Sequence, residues 1–163
     1  MLEIVKLAIF RSRSNLFIYL FNLFLFPCLD PKQQFLALKK PKYVVDFESV
    51  KKNALSTNPI QALDARGSAR FAENHIPQSF STPFRELFNE DKTFKNENEL
   101  RDIFIKKNVD LNCEMFTSCG SGVTACIVSH ALHSLGKDAP VYDGSMTEWK
   151  VRAPDLILSD DGK

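Results

Sequence analysis

At 163 residues the chain has room for one domain of ordinary size with a tail. Its 44% hydrophobic and 25% charged residues are the balance of a globular protein, which excludes a largely disordered chain, a collagen-like fibre and a polytopic membrane protein. The net charge of +1 offers no global attraction to nucleic acid, though residues 1–42 carry +5 and residues 43–163 carry −4.

The first block stands apart in composition. Leu16 to Leu29 is apolar and aromatic, interrupted by Asn22 and Pro27, and too short for a membrane-spanning helix, so stable membrane insertion is not expected. Arg11 and Arg13 precede it, as the basic region of a signal peptide would, but no small-x-small cleavage site follows. The same residues permit a mitochondrial presequence or a truncated remnant. All three readings stay open, and each starts the folded domain near residue 41. The expected organisation is a segment over 1–40, one domain over 41–155 and a polar tail over 156–163. A mitochondrial or cytoplasmic location fits, with secretory entry through residues 1–30 also open.

From Tyr43 strand and helix signals alternate. Tyr43–Val45 reads as a short strand. Phe47, Val50 and Ala54 have helical spacing. Gln61–Ala65 is a strand ending in the polar turn Arg66-Gly67-Ser68, and a short helix follows over Ser68–Glu73. Ser79–Ser81 is a third strand. Pro83 is placed to open a helical turn over Phe84–Phe88. Asn98–Lys107 is an amphipathic helix, Glu114–Ser118 a strand, and Val123–Leu135 a helix closed by Gly136 as its C′ residue. Cys126 lies in the apolar run of that helix and is expected in the core. Pro140–Asp143 is the last strand, and Glu148-Trp149 mark a final helix. Such alternation implies an α/β fold: a central parallel sheet of about five strands with helices on both faces. Ligands of such sheets lie beyond the carboxyl ends of the strands.

Four cysteines (Cys28, Cys113, Cys119, Cys126) and three histidines (His75, His130, His133) form no C-x-x-C pair and no zinc spacing, so neither a disulfide scaffold, a metal site nor a cofactor is expected. Cys119 is distinctive. It directly follows a strand, and Gly120 and Gly122 follow it just before a helix. Glycines there let successive N–H groups curl into a bowl, and the helix start adds its own unpaired N–H groups. A thiolate in that bowl is stabilised, as a nucleophile needs. The alternative is a small buried residue at a strand end. A cysteine phosphatase would need arginine six positions on, where Ala125 stands, so phosphate-ester chemistry is not expected.

Cys119-Gly120-Ser121-Gly122-Val123-Thr124-Ala125-Cys126 resembles the active-site loop of the rhodanese superfamily, and is most similar to that of 3-mercaptopyruvate sulfurtransferases. Leu63-Asp64-Ala65-Arg66, Arg70-Phe71, His75-Ile76-Pro77 and Val141-Tyr142-Asp143-Gly144-Ser145 with Glu148-Trp149 carry the resemblance in order over residues 43–150. The resemblance implies a single rhodanese-like domain like the second, catalytic one of the tandem enzymes. It implies sulfur transfer from 3-mercaptopyruvate or thiosulfate through a Cys119 persulfide to cyanide or a thiol acceptor such as thioredoxin. Ser121 would assist proton transfer. Arg70 would bind the substrate carboxylate, with Gly120, Gly122, Val123 and Thr124 completing the substrate site. The uncharged Gly120-Ser121 is the mercaptopyruvate-type loop.

The chain departs from the family pattern in several places. A first rhodanese domain is not among these residues. Only Ala72, Glu73 and Asn74 separate Phe71 from His75, where longer members insert a second substrate arginine; Gln78 and Met146 replace a glycine and an aromatic residue. The alternative function is therefore a truncated, non-catalytic binding module. His75 is expected to be structural, Asp64 and Arg66 to brace a strand end, and Arg85, Arg101, Lys106 and Lys107 to lie on solvated helix faces.

Overall fold

A computed structural model describes residues 41–160 of the chain. The apolar segment over 16–29, the three readings of residues 1–40 and the last three residues lie outside the described residues.

Asp46 starts the first helix by accepting a hydrogen bond from the Ser49 N–H at 2.9 Å, which satisfies one of the donors that a helix start leaves open. Helix α1 (Phe47–Ala54) follows strand β1 (Val44–Val45) and buries Phe47, Val50 and Ala54, the stripe its spacing predicts. Then come β2 (Gln61–Asp64), α2 (Ser68–Glu73) and β3 (Ser79–Ser81). Pro83 leads into a 3-10 turn, Phe84–Leu87, rather than an α-helix. Asn96 and Glu99 form a reciprocal capping box at the start of α3 (Glu97–Lys106), and Leu100 and Phe104 are buried. Strand β4 (Met115–Ser118), helix α4 (Val123–Ser134), strand β5 (Val141–Tyr142) and helix α5 (Ser145–Arg152) complete the alternation. Gly136, at φ +75°, ends α4 as expected: its N–H reaches His133 O at 2.9 Å and that of Lys137 reaches Leu132 O at 3.0 Å.

The five strands form one sheet in the order β1-β5-β4-β2-β3, with all pairs parallel. Because side chains alternate along a strand, the central pair divides two cores. Leu63 and Met115 face a cluster with Leu100, Phe104, Val128 and Leu132 from α3 and α4. Ala62 and Phe116 face the opposite cluster with Phe47, Val50, Met146 and Trp149 from α1 and α5. Helices thus cover both faces, as expected. None of the described helices is long and apolar enough to cross a membrane.

Two expectations change. Cys126 is exposed, not core: α4 turns Ala125, Val128, Ala131 and Leu132 to the sheet, and the Cys126 thiol lies on the outer side, donating to Gly122 O at 3.4 Å. Within the segment expected as a polar tail, Leu158 and Asp160 are hydrogen-bonded to the domain. His75 and Leu158 exchange both backbone hydrogen bonds, at 2.8 and 3.0 Å, and the Asp160 N–H donates to Ala72 O at 2.9 Å.

Candidate active site

The carboxyl ends of three neighbouring strands meet on one side of the sheet. Cys119 leaves β4, Arg66 to Arg70 leave β2, and Phe84 and Arg85 leave β3. An open cleft of about 620 Å³ lies between them. Cys119, Gly120, Ser121, Val123, Thr124 and Arg70, all singled out from sequence, line it.

The Cys119 main chain is held from below by the start of α5. Its N–H donates to the Ser145 hydroxyl at 3.0 Å, and its carbonyl accepts from the Met146 N–H at 3.1 Å. The Gly120 carbonyl accepts from the Thr147 N–H at 2.9 Å and the Thr147 hydroxyl at 2.7 Å. Ser145 is fully buried and sits at φ +48°, a left-handed conformation that costs about 1 kcal/mol or more outside glycine. That conformation sets its hydroxyl between Cys119 N and Tyr142 O, to which it donates at 2.8 Å. The hydroxyl has one proton, already spent on that carbonyl, so its 4.0 Å approach to Cys119 Sγ supplies no donor in this arrangement.

Gly122 closes the loop at φ +83° with its back against Asp143. A Cβ there would meet the Asp143 carbonyl oxygen at 2.7 Å. Gly122 thus lies behind the loop and not on the cleft wall; its glycine lets the chain turn into α4.

The Cys119 side chain is only 2% exposed, yet it forms part of the cleft floor. Burial pushes its thiol pKa up, but the Thr124 hydroxyl and the backbone N–H groups of Ala125, Ser121 and Thr124 outweigh it, and the net shift is downward. The bowl read from the glycines therefore forms, with a side-chain donor added. The loop pattern marks Thr124 as a substrate-binding residue; its hydroxyl is also a partner of the sulfur. The sequence does not mark Ser145 and Thr147 as loop supports. Gly144-Ser145 stands out in the sequence as a motif, but nothing local to it points 26 residues back to Cys119.

Arg66 is turned inward as the expected brace. Its Nη2 lies 2.6 Å from Asp64 Oδ2 and its Nε 3.0 Å from both carboxylate oxygens, while Asn74 accepts from Nη1 at its Oδ1 and from Nη2 at its carbonyl oxygen. Both members of the pair are buried, so its charge is matched. His75 is likewise built into the scaffold: its ring stacks on Phe71 at 4.2 Å, and Nδ1 lies 3.0 Å from Phe71 O, away from the cleft. Arg85 departs from expectation. It is exposed, but on the cleft wall and not on an unrelated helix face. No Asp or Glu lines the cleft among the described residues.

The parallel α/β domain thus seats a cysteine sulfur, its pKa lowered by surrounding donors, beside two arginines that have no ion-pair partner among the described residues. The chain belongs to the rhodanese family: residues 47–152 match the rhodanese-like domain. It is 34% identical to human 3-mercaptopyruvate sulfurtransferase over 140 residues, covering 78% of this chain and 47% of that protein. It is 39% identical to mitochondrial thiosulfate/3-mercaptopyruvate sulfurtransferase 1 of Arabidopsis thaliana, covering 73% of this chain and 34% of that one. SseA from Escherichia coli, a solved structure described as a 3-mercaptopyruvate sulfotransferase with the rhodanese fold, superposes with a TM-score of 0.62 at 35% identity, over 69% of this chain and 45% of that one. The chain thus spans less than half the length of each of these relatives.

Proposed function

We propose that this chain is a sulfurtransferase domain that carries sulfur as a Cys119 persulfide, taking it from 3-mercaptopyruvate or thiosulfate. The observation that carries the reading is the Cys119 sulfur on the cleft floor, with one hydroxyl and three backbone N–H groups stabilising its anionic form. The names of the relatives support the donor class.

In this reading the Cys119 thiolate attacks the sulfur of 3-mercaptopyruvate. The new S–S bond forms as the donor's C–S bond breaks, and its electron pair passes into the enolate of pyruvate, which takes up a proton at carbon. The transferred sulfur keeps its proton or loses it to solvent, giving a persulfide whose terminal sulfur lies near the same N–H donors. An acceptor thiolate then attacks that sulfur and releases the Cys119 thiolate. Cyanide would do the same, leaving as thiocyanate. Arg70, exposed on the cleft wall, holds the donor's carboxylate, and Ser121, which lines the same cleft, passes a proton to the leaving group. Thioredoxin-like thiols are the acceptor class. We place the chain in the mitochondrion, which one relative's name specifies, or in the cytoplasm.

The test is persulfide trapping on the full chain. After incubation with 3-mercaptopyruvate and alkylation, the peptide containing Cys119 should gain one sulfur atom as pyruvate is released. Cys119→Ser should abolish both, whereas Cys126→Ser, an exposed thiol of α4, should retain both. A chain that binds the donor without forming the adduct would instead be the non-catalytic binding module.

A further inference from the structure

We propose that Arg85 binds the anionic part of the sulfur donor, acting with Arg70 as the second guanidinium of the cleft; this assignment rests on the function proposed above. Three arginines line the cleft: Arg66, Arg70 and Arg85. Arg66 is spent on buried Asp64. Neither Arg70 nor Arg85 has an ion-pair partner among the described residues, and no carboxylate shares the wall with them. Two like charges directed at one cleft repel each other, and an anion between them relieves that repulsion.

The root of Arg85 is fixed in place. The Thr82 N–H donates to Asp64 O at 2.8 Å and the Phe84 N–H to Ala65 O at 3.1 Å, so the 3-10 turn is bound to the end of β2, beside the segment that carries Arg70. Phe84 packs against the core and its ring lies 5.9 Å from the Arg85 guanidinium carbon. Neighbouring Glu86 is engaged by Lys107 at 2.9 Å and does not neutralise it. The fixed backbone thus carries a free guanidinium on a cleft whose floor is Cys119. Gly120 and Ser121 bring no charge to the cysteine loop, so Arg85 and Arg70 are the cations available to an oxyanion or carboxylate lying over the sulfur. The donors this cleft takes are therefore small and anionic, with a carboxylate or sulfur oxyanion that faces the two arginines.

Binding separates this proposal from catalysis. In a full-length Cys119→Ser background, which cannot turn over, calorimetric titration reads the affinity for 3-mercaptopyruvate and for thiosulfate. Arg85→Ala should weaken one or both by about tenfold, and Arg85→Lys by less, since a charge remains without the fork. Lys52→Ala, which removes one exposed charge from α1, should change neither by more than about twofold. In the active chain the same Arg85→Ala substitution should raise KM and spare kcat, the pattern of an interaction made equally in ground and transition states. Affinity unchanged in Arg85→Ala, an equal loss in Lys52→Ala, or a parent that binds neither anion overturns the assignment. Binding that depends on Arg85 in a chain that forms no persulfide would retain this site and reject the sulfurtransfer reading.

Discussion

Thr124→Val removes the hydroxyl that donates to the Cys119 sulfur and leaves the side chain's size almost unchanged. A hydrogen bond to a charged acceptor contributes about 1.5–3 kcal/mol. Thr124 is half-buried, and water at the cleft can partly replace its hydroxyl, so the lower end applies. That corresponds to a roughly tenfold lower ratio of thiolate to thiol at a given pH. The direction is unambiguous: the hydroxyl lowers the Cys119 pKa, so its loss raises it. The rising limb of the pH–rate profile moves to higher pH, the rate near neutrality falls, and the two proteins converge where both thiols are ionised. The three N–H donors remain, which keeps the loss from being total. The assay is a pH series of iodoacetamide alkylation read by mass spectrometry with fragment ions that localise the label to Cys119, because Cys113 and Cys126 are exposed, will also react and lie on the same tryptic peptide. Thr124→Ser keeps a hydroxyl and should restore most of the reactivity. Coincident profiles for the parent and Thr124→Val would refute the claim that this side chain tunes the nucleophile.

Gly122→Ala should destabilise the domain by about 2–4 kcal/mol in urea titration, because a Cβ at φ +83° collides with the Asp143 carbonyl. Gly120→Ala, with nothing within 4 Å of its new Cβ, should unfold at nearly the parental urea concentration. Ser145→Ala leaves the buried Cys119 N–H without its acceptor and should cost about 1–3 kcal/mol by the same titration, with slower persulfide formation as the loop loosens. Asp64→Ala strands the buried Arg66 guanidinium and should cost about 3–5 kcal/mol, visible as a large drop in melting temperature. Arg70→Ala should raise KM for 3-mercaptopyruvate roughly 10- to 150-fold with little change in kcat; an unchanged KM would show that its guanidinium does not meet the donor.

What could be read from the chain alone is what neighbours within about six positions decide. Asp46 and Ser49, Asn96 and Glu99, and Gly136 after Leu132 are satisfied within one or two turns, so the helices α1, α3 and α4 and the strands between them follow from local order. The glycine loop after β4 and its affinity for a thiolate are local in the same sense, since Ser121, Thr124 and Ala125 all lie within six residues of Cys119. Helix α4 is apolar on most sides, so its sequence does not name the face that packs; only contact with the sheet decided that Ala125 and Val128 go in while Val123 and Cys126 stay out. The order β5-β4-β2-β3 is also a tertiary outcome. It sets Ser145 under Cys119 across 26 residues and brings Arg70 and Arg85 from two different strand ends to one cleft. Parallel strands are joined by crossovers and not by turns, so which strand ends become neighbours depends on how whole layers pack, a quantity that no short stretch of chain contains.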